Sequence, residues 1–156
     1  MKSHASIAGH PIHPMLVPFP IALWIFSLAS DFIYLFGFGG PVWKDIALYT
    51  MVAGVGGGLA AAVPGYLDYR AITEPLTVKI AQRHMIINFS LVLLFSVNVL
   101  LRLSSGPHIL APVFLSAVGI AGLVISGWLG GELVYVKGVG VEDQRVSSGP
   151  QKRRAA

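Results

Sequence analysis

Four stretches of this chain are continuously apolar, and short segments between them hold most of the polar residues. They run from about Met15 to Phe38, Ile46 to Val63, His84 to Leu101 and Ile109 to Tyr135. Each is close to or beyond the roughly 20 helical residues that cross a hydrocarbon core of about 30 Å. The runs are continuous rather than alternating, which selects helices over the strands of a closed barrel. The first contains one charge, Asp31, and the fourth contains Glu132 near its end. The pattern predicts an all-α fold, a four-transmembrane-helix bundle over residues 15–136. A His/Pro-rich arm (1–14) precedes it, and a polar, basic and disordered tail (137–156) is expected to follow. Lys2 and the small residues Ser27-Leu28-Ala29 imitate a cleavable signal. The apolar run continues to Phe38, however, and its lead-in is rich in His and Pro, so it is read as a retained span.

Composition sharpens this reading. Of 156 residues, 12% are charged and 54% are hydrophobic. A soluble domain carries about 25% charged residues, so the solvent for much of this surface is lipid. The absence of cysteine excludes disulfides, thiolate metal sites and iron–sulfur ligation by this chain. A net charge of +4 and a pI near 9.6 raise the question of nucleic acid, but the distribution of the charges answers it. Lys2, Arg70, Lys79, Arg83, Lys137, Arg145, Lys152, Arg153 and Arg154 fall on one side of the predicted bundle, against Lys44 and Arg102 on the other. The positive-inside rule then puts both termini in the cytoplasm of a bacterial cell, with the chain a multi-pass protein of the inner membrane. The partner of the basic tail is the lipid bilayer, not nucleic acid.

The same topology gathers unusual polar residues at the cytoplasmic boundary. Gly9-His10-Pro11-Ile12-His13-Pro14 is a stiff, non-helical lead-in, because proline fixes its φ and lacks an N–H. Pro14 suits a helix N1 position, and Pro18 and Pro20 delay or kink the first turns. Arg83 and His84 are expected to open the third helix, with Asn88, Phe95, Asn98 and Arg102 near the His84 face. Pro64-Gly65 reads as the end of the second helix, followed by Asp68. Glu132 shares a helix face with Trp128 and Tyr135. Asp31 lies deeper toward the outer side, as a hydrogen-bonding group or part of a proton path. His108 reads as a surface residue, and His4 lies in the N-terminal arm. Glycines four apart in Gly54–Gly58 and Gly127–Gly131 predict close helix approach.

Gly9-His10-Pro11-Ile12-His13-Pro14-Met15-Leu16-Val17 with Phe19-Pro20, Pro64-Gly65 with Asp68, His84 with Asn88, and Ser126-Gly127-Trp128-Leu129-Gly130-Gly131-Glu132-Leu133-Val134-Tyr135 with Gly138-Val139-Gly140-Val141 together resemble the bacterial membrane family called domain of unknown function 2231. The resemblance covers roughly residues 8–141. It implies four transmembrane helices and no established activity. Some relatives carry the domain beside a Rieske iron–sulfur module, which implies a redox setting. Relatives often show His where this sequence has Pro18 and Lys137, so ligation at those two positions is not available here.

Three functions follow from the residues themselves. The first is a small b-type haem electron-transfer subunit, with His13 and His84 as axial ligands and His10 as substitute. Arg83 or Arg70 would pair with propionates, Asn88 would line the site, and Glu132 would orient a ligand. Its partner would be a redox protein or a quinone. The second is a divalent-metal site, zinc or iron, formed by His10, His13, His84 and Glu132 with Asp68. The third is a non-enzymatic anchor or assembly subunit, a homo-oligomer among the options, in which the same histidines and Glu132 form a structural hydrogen-bond cluster. No GxSxG, HExxH or Walker pattern is present, so an electron-transfer or binding subunit is favoured over a stand-alone enzyme.

Overall fold

The computed structural model describes residues 3–104 and 108–141. Of the tail assigned to 137–156, residues 142–156 lie outside the described residues. Residues 137–141 are held instead: the Lys137 N–H donates to Glu132 O and the Val139 N–H to Leu133 O, with Val139 packed beside Leu133. The chain opens with a small hairpin, β1 (Ser6–Ile7) paired antiparallel with β2 (His10–Pro11). Its two central residues, Ala8 (φ 49°) and Gly9 (φ 82°), both have positive φ, the mark of a type I′ turn. A short helix α1 (Ile12–Leu16) leads into α2 (Pro18–Leu35). Val17 alone separates them. Pro18 lacks the N–H that would bond Pro14, so the hydrogen-bond ladder is interrupted there although Val17 keeps helical angles (φ −53°, ψ −37°).

α2 ends where a Schellman motif closes it. Gly37 has φ 72°, its N–H reaches Tyr34 O, and the Phe38 N–H reaches Ile33 O. Those two bonds satisfy carbonyls left open at the helix end. Phe36–Phe38, expected to be helical, thus form the turn out of α2. The second membrane helix, α3, spans Val42–Arg70 and carries Pro64 inside it. Pro64-Gly65 therefore does not end the helix, contrary to its reading as a break signal. Membrane helices tolerate an internal proline when neighbouring elements support the freed backbone groups, and here α1 packs against this stretch of α3.

α4 spans Pro75–Ser104. It begins nine residues earlier than expected, because Glu74 caps it. The Glu74 carboxylate accepts the N–H groups of Leu76 (3.0 Å) and Thr77 (2.6 Å), and Pro75 occupies the first helical position, where no N–H is needed. Arg83 and His84 therefore sit within α4 rather than opening it. α5 (Leu110–Gly131) runs on into a π-helical turn, Glu132–Val136.

Four helices are long and apolar enough to cross a membrane: Ile12–Leu35, Val42–Arg70, Pro75–Ser104 and Leu110–Val136. They pack chiefly as α2 on α3 and α4 on α5, with α3 on α4 joining the two pairs. The centre is an apolar cluster of Trp24, Met51, Leu91, Phe95 and Leu123. Trp24 and Phe95 stack with ring centres 4.2 Å apart. Gly54 makes room for Trp24, since a Cβ there would lie 2.6 Å from the indole. The outer faces are apolar too: Phe89, Trp128 and Tyr135 are 73%, 79% and 89% exposed. A soluble bundle would place polar groups there; lipid accepts these side chains without cost.

Candidate functional site

Two polar loci among the described residues lie toward opposite ends of the bundle, separated by the apolar cluster. At one end, α1 presents His13 and α4 presents His84. Their ring centres are 6.4 Å apart and their planes nearly perpendicular, at 88°. His13 comes from the Pro-bounded turn of α1 and seats against α3, where Nδ1 lies 2.8 Å from Ala61 O. A carbonyl can only accept, so Nδ1 carries the proton and Nε2 the lone pair. His84 has the same arrangement on the opposite wall: its Nδ1–H donates to Ser126 O of α5 at 3.0 Å. Ser126 Oγ is also within 3.2 Å of that nitrogen.

Asn88, one turn after His84, closes the network. Its Nδ2 has two protons and three acceptors: Ser126 Oγ at 2.6 Å, His84 O at 2.8 Å and His84 Nε2 at 3.2 Å. The longest contact is the one to His84 Nε2, whose lone pair is the least committed. Both imidazoles sit on glycine. A Cβ on Gly65 would fall 2.7 Å from His13 Nδ1, and one on Gly130 would fall 3.2 Å from His84 Cε1. Pro64-Gly65 and Gly130-Gly131 thus give the rings their seats.

The remaining candidates are placed elsewhere. His10 is exposed on the hairpin, with Nδ1 bonded to Ala8 O at 3.0 Å. Asp68 holds the N-terminal segment down: its Oδ1 accepts Ser3 Oγ (2.7 Å) and the N–H groups of His4 (3.0 Å) and Ala5 (3.2 Å). Glu132 is half-buried in the π-helical turn. It does not orient either imidazole, because Ala61 and Ser126 carbonyls take both Nδ1 protons. Arg70 and Arg83 are exposed. Among the described residues no three His, Asp or Glu side chains lie close enough to share a metal ion. The expected grouping of His10, His13, His84 and Glu132 with Asp68 is therefore not assembled. Backbone hydrogen bonding draws Asp68 and His10 away, and only His13 and His84 meet.

The model of the family described as "Predicted membrane protein (DUF2231)" matches residues 9–143. The chain belongs to the DUF2231 family. No curated protein and no solved structure matches it. The match begins one residue before His10 and so takes in His10, His13, His84 and Glu132, leaving His4 outside it. Membership agrees with the four membrane-spanning helices and with a surface in contact with lipid.

At the other end of this DUF2231 chain lies an ion pair whose halves stood separately in the sequence. Asp31 of α2 is fully buried, and Arg102 of α4 meets it with two donors, Nη1 at 2.8 Å from Oδ1 and Nη2 on Oδ2. Arg102 Nε donates to Asn98 Oδ1 at 3.2 Å, while Asn98 Nδ2 donates to Pro112 O and to Ser116 Oγ, each at 2.9 Å. Breaking one half of such a buried pair costs about 3–5 kcal/mol. Helix periodicity had put Asn98 and Arg102 on the face of His84. The partner on α2 carried no local signal beyond being a lone charge in an apolar run.

Proposed function

We propose that this protein binds one b-type haem between His13 and His84 and serves as a small electron-transfer subunit of the membrane. The observation that carries the reading is the paired imidazoles, 6.4 Å apart, each with Nδ1 bonded to a backbone carbonyl. Metal-binding histidines are usually held this way, with the second ring nitrogen donating to a fixed acceptor. Two protein ligands suffice for haem, whose macrocycle supplies the others. A metal site built from protein alone needs three or four, which the described residues do not provide.

In this reading His13 and His84 would hold the haem iron and Asn88 would position His84. Arg70 and Arg83, both exposed near this end, pair with propionates. When bound, the haem supplies one-electron chemistry. The partner is a redox protein or a quinone. The Lys/Arg asymmetry supports a site at the cytoplasmic face of a bacterial inner membrane.

The test is an optical spectrum of the full chain purified from membranes of haem-replete cells. A Soret band with one haem per chain is expected, and its loss in His13→Ala and in His84→Ala. A folded, colourless protein that takes up no added haemin would overturn the reading. The bonds of Asn88 to Ser126 and His84 favour a second reading, an interhelical lock without cofactor. It predicts that colourless protein, with a much lower melting temperature in His84→Ala.

A further inference from the structure

The arm that carries His13 is held to the bundle differently from the helix that carries His84. We propose that residues 3–16 form a hinged clasp that moves His13 to and from its place opposite His84, with Asp68 as the latch. The movement is a property of the arm; its control of cofactor binding rests on the haem reading.

Seat and latch share one stripe of α3. Ala61, Gly65 and Asp68 follow at i, i+4 and i+7, which puts them on one helix face. Ala61 O takes the His13 Nδ1 proton, and the ring fills the space beside Gly65. One turn further, a single Asp68 oxygen accepts donors from three successive residues: Ser3 Oγ, the His4 N–H and the Ala5 N–H. Hydrogen bonds to an ionised acceptor are the strong ones. Ala5 O in turn accepts the Ile12 N–H at 2.9 Å. Hydrogen bonds thus run from the carboxylate through Ala5 to the first residue of α1.

The rest of the arm is loosely attached. No residue of α1 is buried, and within 3–16 only Ala5 is. Segments with few buried apolar contacts open locally at low free energy. The hinge is the junction with α2. Pro18 and Pro20 cannot donate to Pro14 and Leu16, and the Ile21 N–H reaches Val17 O at 3.5 Å, a long bond. His84 has no such freedom. It lies inside α4, bonded to Ser126 of α5, and Asn88 ties the same two helices. Releasing His13 breaks the bond to Ala61 and the latch, whereas releasing His84 would part α4 from α5. Opening of the pair therefore goes through His13.

Amide hydrogen exchange of the purified full chain in detergent tests the clasp. In Asp68→Ala, residues 5–17 should exchange about tenfold faster, the effect of losing one hydrogen bond to a charged group. Segments holding His84 and Ser126 should keep their rates. Asp68→Asn, which retains an oxygen acceptor, should fall between the natural chain and Asp68→Ala. Unchanged exchange over 5–17 in Asp68→Ala overturns the proposal, as does an equal rise in every helix, which would make Asp68 a stabiliser of the whole fold. Titration with haemin reads the consequence. Asp68→Ala should bind it about tenfold more weakly, because the pair is complete in a smaller fraction of molecules. Equal haemin affinity in the two chains removes the clasp's control of the site. A natural chain that binds no haemin defeats the haem reading alone, and the exchange rates still decide the clasp.

Discussion

Gly65 and His13 occupy one space. The imidazole lies where a Gly65 side chain would be, so Gly65→Ala must push the ring away from Ala61 O or push α1 off α3. Overpacking of this kind costs about 1–3 kcal/mol. We expect Gly65→Ala to melt lower in detergent and, if the proposed haem site exists, to weaken or abolish its Soret band. Gly56→Ala, where a Cβ meets nothing within 4 Å, should do neither. An unchanged spectrum in Gly65→Ala would show that the seat of His13 does not matter. The histidines and Asn88 were legible as chemistry because ionisable and amide groups are rare in these apolar runs. Their acceptors were not legible. Ala61 and Ser126 act through backbone carbonyls, which any residue type supplies.

At the scale of elements, the start of α4 shows how one side chain resets a boundary. Glu74 accepts the Thr77 hydroxyl and the N–H groups of Leu76 and Thr77. These bonds, the Thr77 hydroxyl first, hold its carboxyl below its ordinary value near 4.5. A carboxylate lowered on folding stabilises the fold above its unfolded pKa, and that stability is lost as pH falls through the folded value. The melting-temperature gap between the natural chain and Glu74→Gln should therefore be fully open at neutral pH and close below about pH 4.5. A gap that stays constant down to pH 3 would remove Glu74 from the cap. The apolar run beginning at His84 marked only the part of α4 with no formal charge. Thr77, Lys79, Gln82 and Arg83 disguised its first turns, although the helix passes through all of them.

For the whole molecule, an even number of spans places residues 3 and 141 at the same end, and charge decides which side of the membrane that is. Because the chain lacks cysteine, single cysteines report topology cleanly. A cysteine replacing Ser3 should resist a membrane-impermeant thiol reagent in intact cells, and one replacing Gly40 should react. The reverse pattern would invert the orientation and move the histidine pair to the outer face. The bundle also divides its polar chemistry in two. The Trp24–Phe95 stack and its apolar neighbours lie between the His13–His84 end and the Asp31–Arg102 end, so no hydrogen-bonded side-chain chain joins them among the described residues.

Residue order alone determined the number of spans, their helical character and the lipid nature of the surroundings. These follow from the length and continuity of apolar runs, and a backbone in lipid has few ways to satisfy its hydrogen bonds. It also marked the residues with chemistry to offer. Tertiary structure decided which of them meet. His13 and His84 are 71 positions apart in the chain, as are Asp31 and Arg102, and no local pattern encodes such pairs. Asp31 and Arg102 bond each other, whereas His13 and His84 are brought face to face by their separate bonds to Ala61 O and Ser126 O. Leaving a charged group unpaired in an apolar interior is costly, which is why the pairing is decided by what packing brings within reach.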